Sequence, residues 1–263
     1  MNKDFINLQN CYILLFEFEL LDYILLFIFG YFAGFVNVFA GGGSTLTLPF
    51  LILMGLDASV ANGTNRIGIL TQTMAASMAF KKENFSNYNL SLKLGLLTVP
   101  GAIIGAYYST MIDNATFQII VAVVMVGVAV SLFIPKSKKK EYVDTVTKLP
   151  VISVIAMLLV GFYSGFIQVG IGFLLMAILS TTLNLNIKRV NMHKVFIVFL
   201  NTIPSLLIFI LTDNVEWVTG IVLSIGASLG AWWSAKLSLK IDEKFIKIVL
   251  FIAIIVMAIK LIY

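Results

Sequence analysis

The residues best suited to chemistry lie in two short segments that interrupt long apolar runs. The first holds three glycines and a serine: Gly41, Gly42, Gly43 and Ser44. The second holds hydrogen-bond donors and a base: Asn62, Thr64, Asn65 and Arg66. A guanidinium beside amide and hydroxyl donors forms a fork that fits an oxyanion, so the pattern predicts anion binding. Two alternatives are that Arg66 pairs with Asp57 in the same loop or that it reaches lipid phosphates.

Two further glycines, Gly170 and Gly172, interrupt a second apolar run in the same way. Glycine frees the backbone for a sharp break. A helix that begins inside a protein points its unpaired N–H groups and its positive dipole end at the cavity. Two such ends facing each other near the midplane would form an anion site. The alternative is a pair of tight turns between packed helices.

Side-chain amides occupy matched positions in the two halves of the chain: Asn37 with Gln168, and Gln72 with Asn201. These amides either line a polar cavity or join helices by hydrogen bonds. His193 and Lys194 align with Thr64 and Asn65. His193 is a candidate ligand because imidazole titrates near neutral pH, and a structural role at a helix start is its alternative.

The composition is that of a membrane protein. Of 263 residues, 60% are hydrophobic and 12% are charged, whereas a soluble domain carries about 25% charged residues. The net charge of +5 comes from short clusters between apolar blocks, which argues against nucleic-acid binding. The single cysteine, Cys11, excludes an intramolecular disulfide, and the single histidine excludes a multi-histidine metal site. We therefore expect neither a metal nor a cofactor.

Charge-free blocks define the elements that must hold the candidate residues. The blocks 23–56 and 149–187 contain 34 and 39 residues, whereas one membrane span needs roughly 20. Each block is cut by glycine near its middle, so each is predicted to form a full-length helix, a break and a short helix. Gly-x-x-x-Gly pairs at matched positions predict close helix packing: Gly30 with Gly34, Gly161 with Gly165, Gly101 with Gly105, and Gly226 with Gly230.

The matched segments divide the chain into two halves with one plan. The predicted parts are an N-terminal segment, a first transmembrane repeat, a basic cytoplasmic linker and a second transmembrane repeat: 1–19, 20–135, 136–148 and 149–263. If each broken block returns to its starting side, 15 of the 18 Lys and Arg residues are cytoplasmic, against 10 if each block crosses once.

The hairpin arrangement makes each half cross the membrane an odd number of times. The sequence thus predicts an all-α polytopic membrane protein with two inverted-topology repeats, each a glycine-broken helix hairpin plus three transmembrane helices. Both termini are predicted to face outside. Inverted repeats with broken helices are typical of transporters.

The segments that carry these residues resemble a known family. The run A-G-G-G-S-T-L-T-L-P from Ala40 to Pro49 and the run V-A-N-G-T-N-R from Val60 to Arg66 are similar to the signature of the sulfite exporter TauE/SafE family, also called TSUP. The resemblance extends from Leu20 to Tyr263, and the segment from Val190 to Lys194 departs from the family pattern. It implies a multi-pass cell-membrane transporter for sulfite or small organosulfur anions such as sulfonates.

The expected function is therefore transport, as export, of a small sulfur-containing oxyanion. The expected partners are this anion and membrane lipid, with no nucleic acid, and a homo-oligomer is left open. An anion channel and a proton-coupled carrier of another small oxyanion are the alternatives. The absence of Asp and Glu from mid-span positions after Asp22 argues against a carboxylate proton relay.

An intramembrane hydrolase is disfavoured. Ser44 would have to act as nucleophile and His193 as base. The rhomboid-type Gly-x-Ser-Gly turn needs glycine after the serine, and Thr45 stands there. The chain is therefore expected not to be an enzyme.

Overall fold

The structure is a computed structural model that describes residues 20–82, 88–131, 149–237, 251–252 and 254–260. The N-terminal segment 1–19 and the basic linker 136–148 lie outside the described residues. In the described part, residues 254–260 are helical, and nine longer helices precede them in this order: α1 (Leu20–Ala40), α2 (Ser44–Leu53), α3 (Ala58–Lys82), α4 (Tyr88–Ser109), α5 (Asn114–Ser131), α6 (Val151–Phe166), α7 (Ile171–Thr182), α8 (Ile187–Leu211) and α9 (Trp217–Leu237).

Five of the described helices, α1, α4, α5, α8 and α9, are long and apolar enough to cross a membrane. The all-α polytopic class predicted from the sequence is confirmed. Helix α3 has 25 residues but is less apolar than these five, because it carries Arg66 and several polar side chains. It packs against both α8 and α9. Its polar residues therefore face other helices rather than lipid.

The first glycine break turns the chain back along α1. A Cβ atom on Gly43 would overlap the carbonyl oxygen of Ala33 and lie 2.5 Å from Cβ of Asn37. The rings of Phe29 and Phe50 stack with their centroids 4.3 Å apart. Since positions further along α2 meet positions earlier in α1, the two helices form an antiparallel hairpin.

The second break lies between α6 and α7. Gln168 and Gly170 have left-handed backbone conformations there, with φ of 58° and 68°. The hydroxyl of Tyr163 donates a hydrogen bond to the carbonyl oxygen of Val169 and fixes the end of α6. Both apolar blocks are thus broken where glycine predicted it.

Glycines allow the two halves to pack against each other at matched places. A Cβ atom on Gly34 would overlap the carbonyl oxygen of Ala227, and a Cβ atom on Gly165 would overlap that of Ala102. Gly34 and Gly165 are matched residues of the repeats, as are Ala102 and Ala227. The same contact therefore occurs twice, with the halves exchanged. This confirms the packing role of the glycine pairs in α1, α4, α6 and α9.

Helices α3 and α8 run antiparallel through the middle of the molecule. Cβ of Phe209 lies 2.9 Å from where a Cβ atom on Gly63 would stand. At the other end, Ala76 and Ala79 share a buried cluster with Met192 and Val195. This register places the middle of α3, around residue 72, level with the middle of α8, around residue 201.

The loop before α3 is tied to the start of α5. Asn114 donates from Nδ2 to Asp57 over 3.1 Å and accepts from the backbone N of Ala58 over 2.7 Å. Asp113 accepts from the backbone N of Thr116 over 2.9 Å. This hydrogen bond to the charged carboxylate lowers the pKa of Asp113. Asp57 is thus engaged with α5.

Candidate functional site

Arg66 reaches from α3 to the end of the broken helix α6. Its side chain is fully buried. Nη1 donates to the carbonyl oxygen of Ser164 and to Oε1 of Gln168, both over 3.1 Å. Nη2 donates to Oδ1 of Asn62 over 3.4 Å and to the carbonyl oxygen of Gly165. Two of its five N–H groups therefore cap the negative end of the α6 dipole, at the carbonyl oxygens of Ser164 and Gly165, and two more bond side-chain oxygens.

The fifth donor of Arg66, Nε–H, is buried and has no hydrogen-bond partner among the described residues. The guanidinium carbon also lies 4.7 Å from the centroid of the Phe209 ring, in a cation–π arrangement. All the hydrogen-bond acceptors around Arg66 are neutral oxygens. The predicted fork is present, but only Nε is free to meet a ligand in this conformation.

Arg66 belongs to a closed ring of hydrogen bonds that joins α3, α6 and α8. From Gln168, Nε2 donates to Oγ1 of Thr202 over 2.8 Å. The hydroxyl of Ser164 donates to Oδ1 of Asn201 over 3.2 Å, and Asn201 is joined to Thr202 through the chain, which closes the ring. The hydroxyl of Thr202 itself donates to the carbonyl oxygen of Val198 over 2.7 Å. Nδ2 of Asn201 is buried and has no partner in the described part of the chain.

The two glycine breaks meet beside this ring. Gly41, with φ of 84°, lies backbone to backbone against Gly172. Ser44 links the breaks because its hydroxyl donates to the carbonyl oxygen of Gln168 over 2.9 Å and accepts from the backbone N of Gly170 over 3.3 Å. The structure thus brings together the two breaks that the sequence placed in separate halves.

Short-range hydrogen bonds hold the first break in shape. Gly43 donates from its backbone N to Oδ1 of Asn37 over 3.3 Å. The carbonyl oxygen of Gly42 accepts from both the backbone N and the hydroxyl of Thr45. Asn37 is therefore part of the break and supports its turn.

Asn65 carries a third buried N–H donor, after Arg66 Nε and Asn201 Nδ2, that has no acceptor among the described residues. Its Oδ1 accepts from the hydroxyl of Thr47 over 2.5 Å, which ties α3 to α2. Its Nδ2 is buried and has no partner among the residues described. Arg66 Nε, Asn65 Nδ2 and Asn201 Nδ2 therefore share one property: each is a buried N–H group that lacks an acceptor.

Lys194 is the second buried cation. It is 2% exposed. Its Nζ donates to the carbonyl oxygens of Asn37 and Val38 over 3.2 and 3.0 Å, and to Oδ1 of Asn191 over 3.0 Å. Lys194 thus caps the end of α1, as Arg66 caps the end of α6. Each cation comes from the opposite half of the chain.

Among the predicted site residues of the described ranges, Thr64, His193 and Gln72 lie outside the ring and make no hydrogen bond to the four helices of the broken hairpins. Thr64 accepts from the backbone N of Glu216 over 2.8 Å and fixes the start of α9. His193 is buried with Nδ1 2.7 Å from the hydroxyl of Ser91 on α4. It lies two helical turns before Asn201, about 12 Å along α8. Gln72 is buried in the middle of α3, level with Asn201.

Sequence reasoning missed several residues that build the site: Thr47, Ser164, Asn191 and Thr202. One signal could have found Asn191. Asn62 and Asn191 are matched residues of the repeats. Each lies about one helical turn before a buried cation, Arg66 or Lys194, and its side-chain oxygen accepts a hydrogen bond from that cation. Ser164 and Thr202 carry no such signal, because their importance comes from contacts across the halves.

The buried charged groups of the described ranges are all basic. No Asp or Glu occurs among the buried residues of the described ranges, whereas Arg66 and Lys194 are both buried there. No group of three or more His, Cys, Asp or Glu that could hold a metal ion is found in the described ranges either. The arrangement is suited to holding a small anion, which would supply acceptors and negative charge together.

Comparison with known proteins defines the class as membrane transporters. A relative from Sinorhizobium sp, "Probable membrane transporter protein ORF9", is 26% identical over 244 residues, covering 90% of each chain. "Probable membrane transporter protein YfcA" of Escherichia coli strain K12 is 28% identical over 90% of this chain and 88% of its own. "Probable membrane transporter protein YunE" of Bacillus subtilis strain 168 is 23% identical over 92% and 98%. No solved structure gives a significant match.

The family described as "Sulfite exporter TauE/SafE" matches residues 26–261. The chain therefore belongs to this family and is a multi-pass membrane transporter. The resemblance carried by the glycine break and the segment ending at Arg66 is confirmed.

Proposed function

We propose that this transporter carries a small sulfur-containing oxyanion, of the sulfite or sulfonate type, out of the cell without catalysing a reaction. The observation that carries the proposal is the charge of the interior. Arg66 and Lys194 are buried, and the described buried residues include no carboxylate to balance them. Neutral oxygens accept their hydrogen bonds but do not neutralise their charge.

Buried cations are costly unless they are paired. The effective penalty is several kcal/mol for each ion taken from water into a protein interior. An anion that binds near Arg66 would recover part of this cost by a charge-assisted hydrogen bond to Nε. Asn65 and Asn201 each add a buried amide donor that has no partner among the described residues, and we propose that they also contact the anion. This donor set matches the several oxygens of a sulfite or sulfonate group.

The broken helices support an alternating-access mechanism. Gly41 and Gly172 meet where the two hairpins cross, and transporters built from inverted repeats bind substrate near such breaks. We infer that the halves are inverted in the membrane, with both termini outside. The exchanged glycine contacts support this because a two-fold relation between halves produces pairs of equivalent contacts.

A panel of anions tests the function directly. Purified protein is screened by thermal unfolding against sulfite, sulfate, thiosulfate, taurine and sulfoacetate, with chloride and acetate as controls. The expected result is saturable stabilisation by one or more sulfur oxyanions, since a ligand that binds only the folded state raises its stability. Equal midpoints with every anion at matched ionic strength would refute an anion site.

Two alternatives, an anion channel and a proton-coupled carrier, can be distinguished from the proposal by measuring the anion flux. An anion channel would conduct far faster than a carrier can turn over, and would show no saturation with substrate. A proton-coupled carrier would follow a pH gradient. His193 is the residue to suspect for such coupling, because imidazole ordinarily titrates near neutral pH.

A further inference from the structure

The ammonium group of Lys194 lies in a cage of neutral oxygens. Its three ligands are the carbonyl oxygens of Asn37 and Val38 and the side-chain oxygen of Asn191, at 3.0 to 3.2 Å. An ammonium has three N–H donors. All three are therefore used, and Lys194 has no donor left for a substrate anion.

This cage has the chemistry of a site for an alkali cation. Carbonyl oxygens at the C-terminal end of a broken helix coordinate Na⁺ in transporters with inverted repeats. The end of α1 provides two such carbonyls, together with the negative end of the helix dipole. Asn191 adds an amide oxygen from α8.

Lys194 and Arg66 differ in what they leave free. Both cap a broken helix of the opposite half, but Arg66 keeps the Nε donor and Lys194 keeps none. An exchangeable ligand can therefore hydrogen-bond Arg66 without displacing a helix end. At Lys194 the same step would require breaking the cap.

We propose that Lys194 is a tethered cation that fills a cation site formed by Asn37, Val38 and Asn191, in the place where a dissociable coupling ion would otherwise bind. This inference goes beyond the proposed anion transport, because it concerns a coupling cation whose place is taken by the side chain of Lys194.

The test is to empty the cage and offer it cations. Lys194→Ala removes the ammonium and leaves room for a small cation. Unfolding midpoints are measured without substrate in N-methylglucamine chloride, with sodium, potassium or ammonium substituted at constant ionic strength. We expect the variant to unfold roughly 5 °C or more below the wild type, and to recover saturably in sodium or ammonium.

Three controls define the outcome. The wild type and Lys236→Ala, which alters an exposed lysine over Trp232, are expected to ignore the choice of cation. Lys194→Met fills the space with an apolar chain, so it is expected to be destabilised without cation recovery. An equal rise of the unfolding midpoint with small cations in Lys194→Met would mean that the cations bind outside the cage, and would overturn the proposal.

The proposal also fails if Lys194→Ala is as stable as the wild type in N-methylglucamine, or if no cation restores it. Should the variant resist purification, the folded yield after extraction in parallel sodium, ammonium and N-methylglucamine buffers becomes the measurement. A higher yield with the small cations supports the tethered cation, and equal loss in all buffers overturns it. Because no substrate is present, these outcomes are independent of which anion is carried.

Discussion

Gly41 and Gly172 lie backbone against backbone where the broken helices of the two halves meet. A Cβ atom on Gly172 would overlap Cα of Gly41, and one on Gly41 would stand 2.6 Å from the carbonyl carbon of Gly172. The two glycines are 131 positions apart, as are Gly34 and Gly165. The two glycines therefore occupy equivalent positions in the two repeats, and these equivalent positions are in contact.

Gly172→Ala is expected to destabilise the protein by about 1–3 kcal/mol, because the added methyl group overpacks a contact made by backbone atoms that cannot move aside. The unfolding midpoint of the purified protein measures this. Gly127→Ala is the matched control, since a Cβ atom there meets nothing within 4 Å. In an open helical position alanine stabilises slightly. An equal midpoint for the two variants would contradict the close contact.

Arg66→Ala is expected to weaken anion binding by roughly 10- to 150-fold, which corresponds to the loss of a charge-assisted hydrogen bond of about 1.5 to 3 kcal/mol. Arg66→Lys is expected to recover only part of the affinity, because it restores charge without the fork. Calorimetric titration of folded protein gives the dissociation constants. Unchanged affinity in Arg66→Ala, relative to Lys236→Ala, would leave Arg66 as a helix cap alone.

Asn201→Asp replaces the free Nδ2 donor with an oxygen while keeping the oxygen that accepts from Ser164. A carboxylate in this place repels an anion, so we expect binding to weaken by at least about 10-fold. The fold is expected to persist because the new carboxylate lies in the same hydrogen-bond ring as the guanidinium of Arg66, which carries the opposite charge. Asn89→Asp changes an exposed residue in the same way and serves as control. Full binding by Asn201→Asp would remove Asn201 from the site.

Flux through the protein in liposomes is expected to follow the membrane potential. A monovalent anion that leaves a compartment negative inside gains roughly 2.3 kcal/mol per 100 mV, and a dianion twice that. A potential set by potassium and valinomycin, with no pH gradient, should drive the anion to the positive side. Flux that ignores the potential, follows an imposed pH gradient and loses that response in His193→Ala would establish proton coupling instead.

The inverted topology predicts opposite accessibility at the two ends of the helices. Lys81 is an exposed residue at the end of α3, and Ala115 is exposed at the start of α5. After Cys11→Ser, only Ala115→Cys is expected to react with an impermeant thiol reagent on intact cells. Permeabilised cells should label both variants. Reaction of Lys81→Cys on intact cells would reverse or abolish the predicted orientation.

Local sequence was sufficient for the breaks and for the close packing. Glycine at Gly41 and Gly170 marked positions that adopt positive φ, and the glycine pairs marked faces where backbones touch. Both features depend on the missing Cβ atom, which is visible in the sequence. The span count was harder to predict, because α3 contains polar residues that face other helices.

The partners of polar side chains could not be predicted. For Arg66 the sequence suggests a ligand, Asp57 or a lipid phosphate as partner. In the structure two of its donors meet the last carbonyl oxygens of α6, and two meet side-chain oxygens of Asn62 and Gln168. Thr64 accepts from the backbone N of Glu216 before α9, and His193 contacts Ser91 on α4. Apart from Asn62, all these partners lie far along the chain. Only the packing of one half against the other decides which donor meets which carbonyl.

The exchanged packing of the halves also sets the order in which the molecule can be completed during synthesis. Helix α1 rests its glycine face on α9, and α4 rests its own on α6. The earliest described helix to leave the ribosome must therefore wait in the bilayer until nearly the whole chain has been inserted. Until the last of the nine longer helices of the described part is inserted, the glycine face of α1 lacks the helix against which it packs.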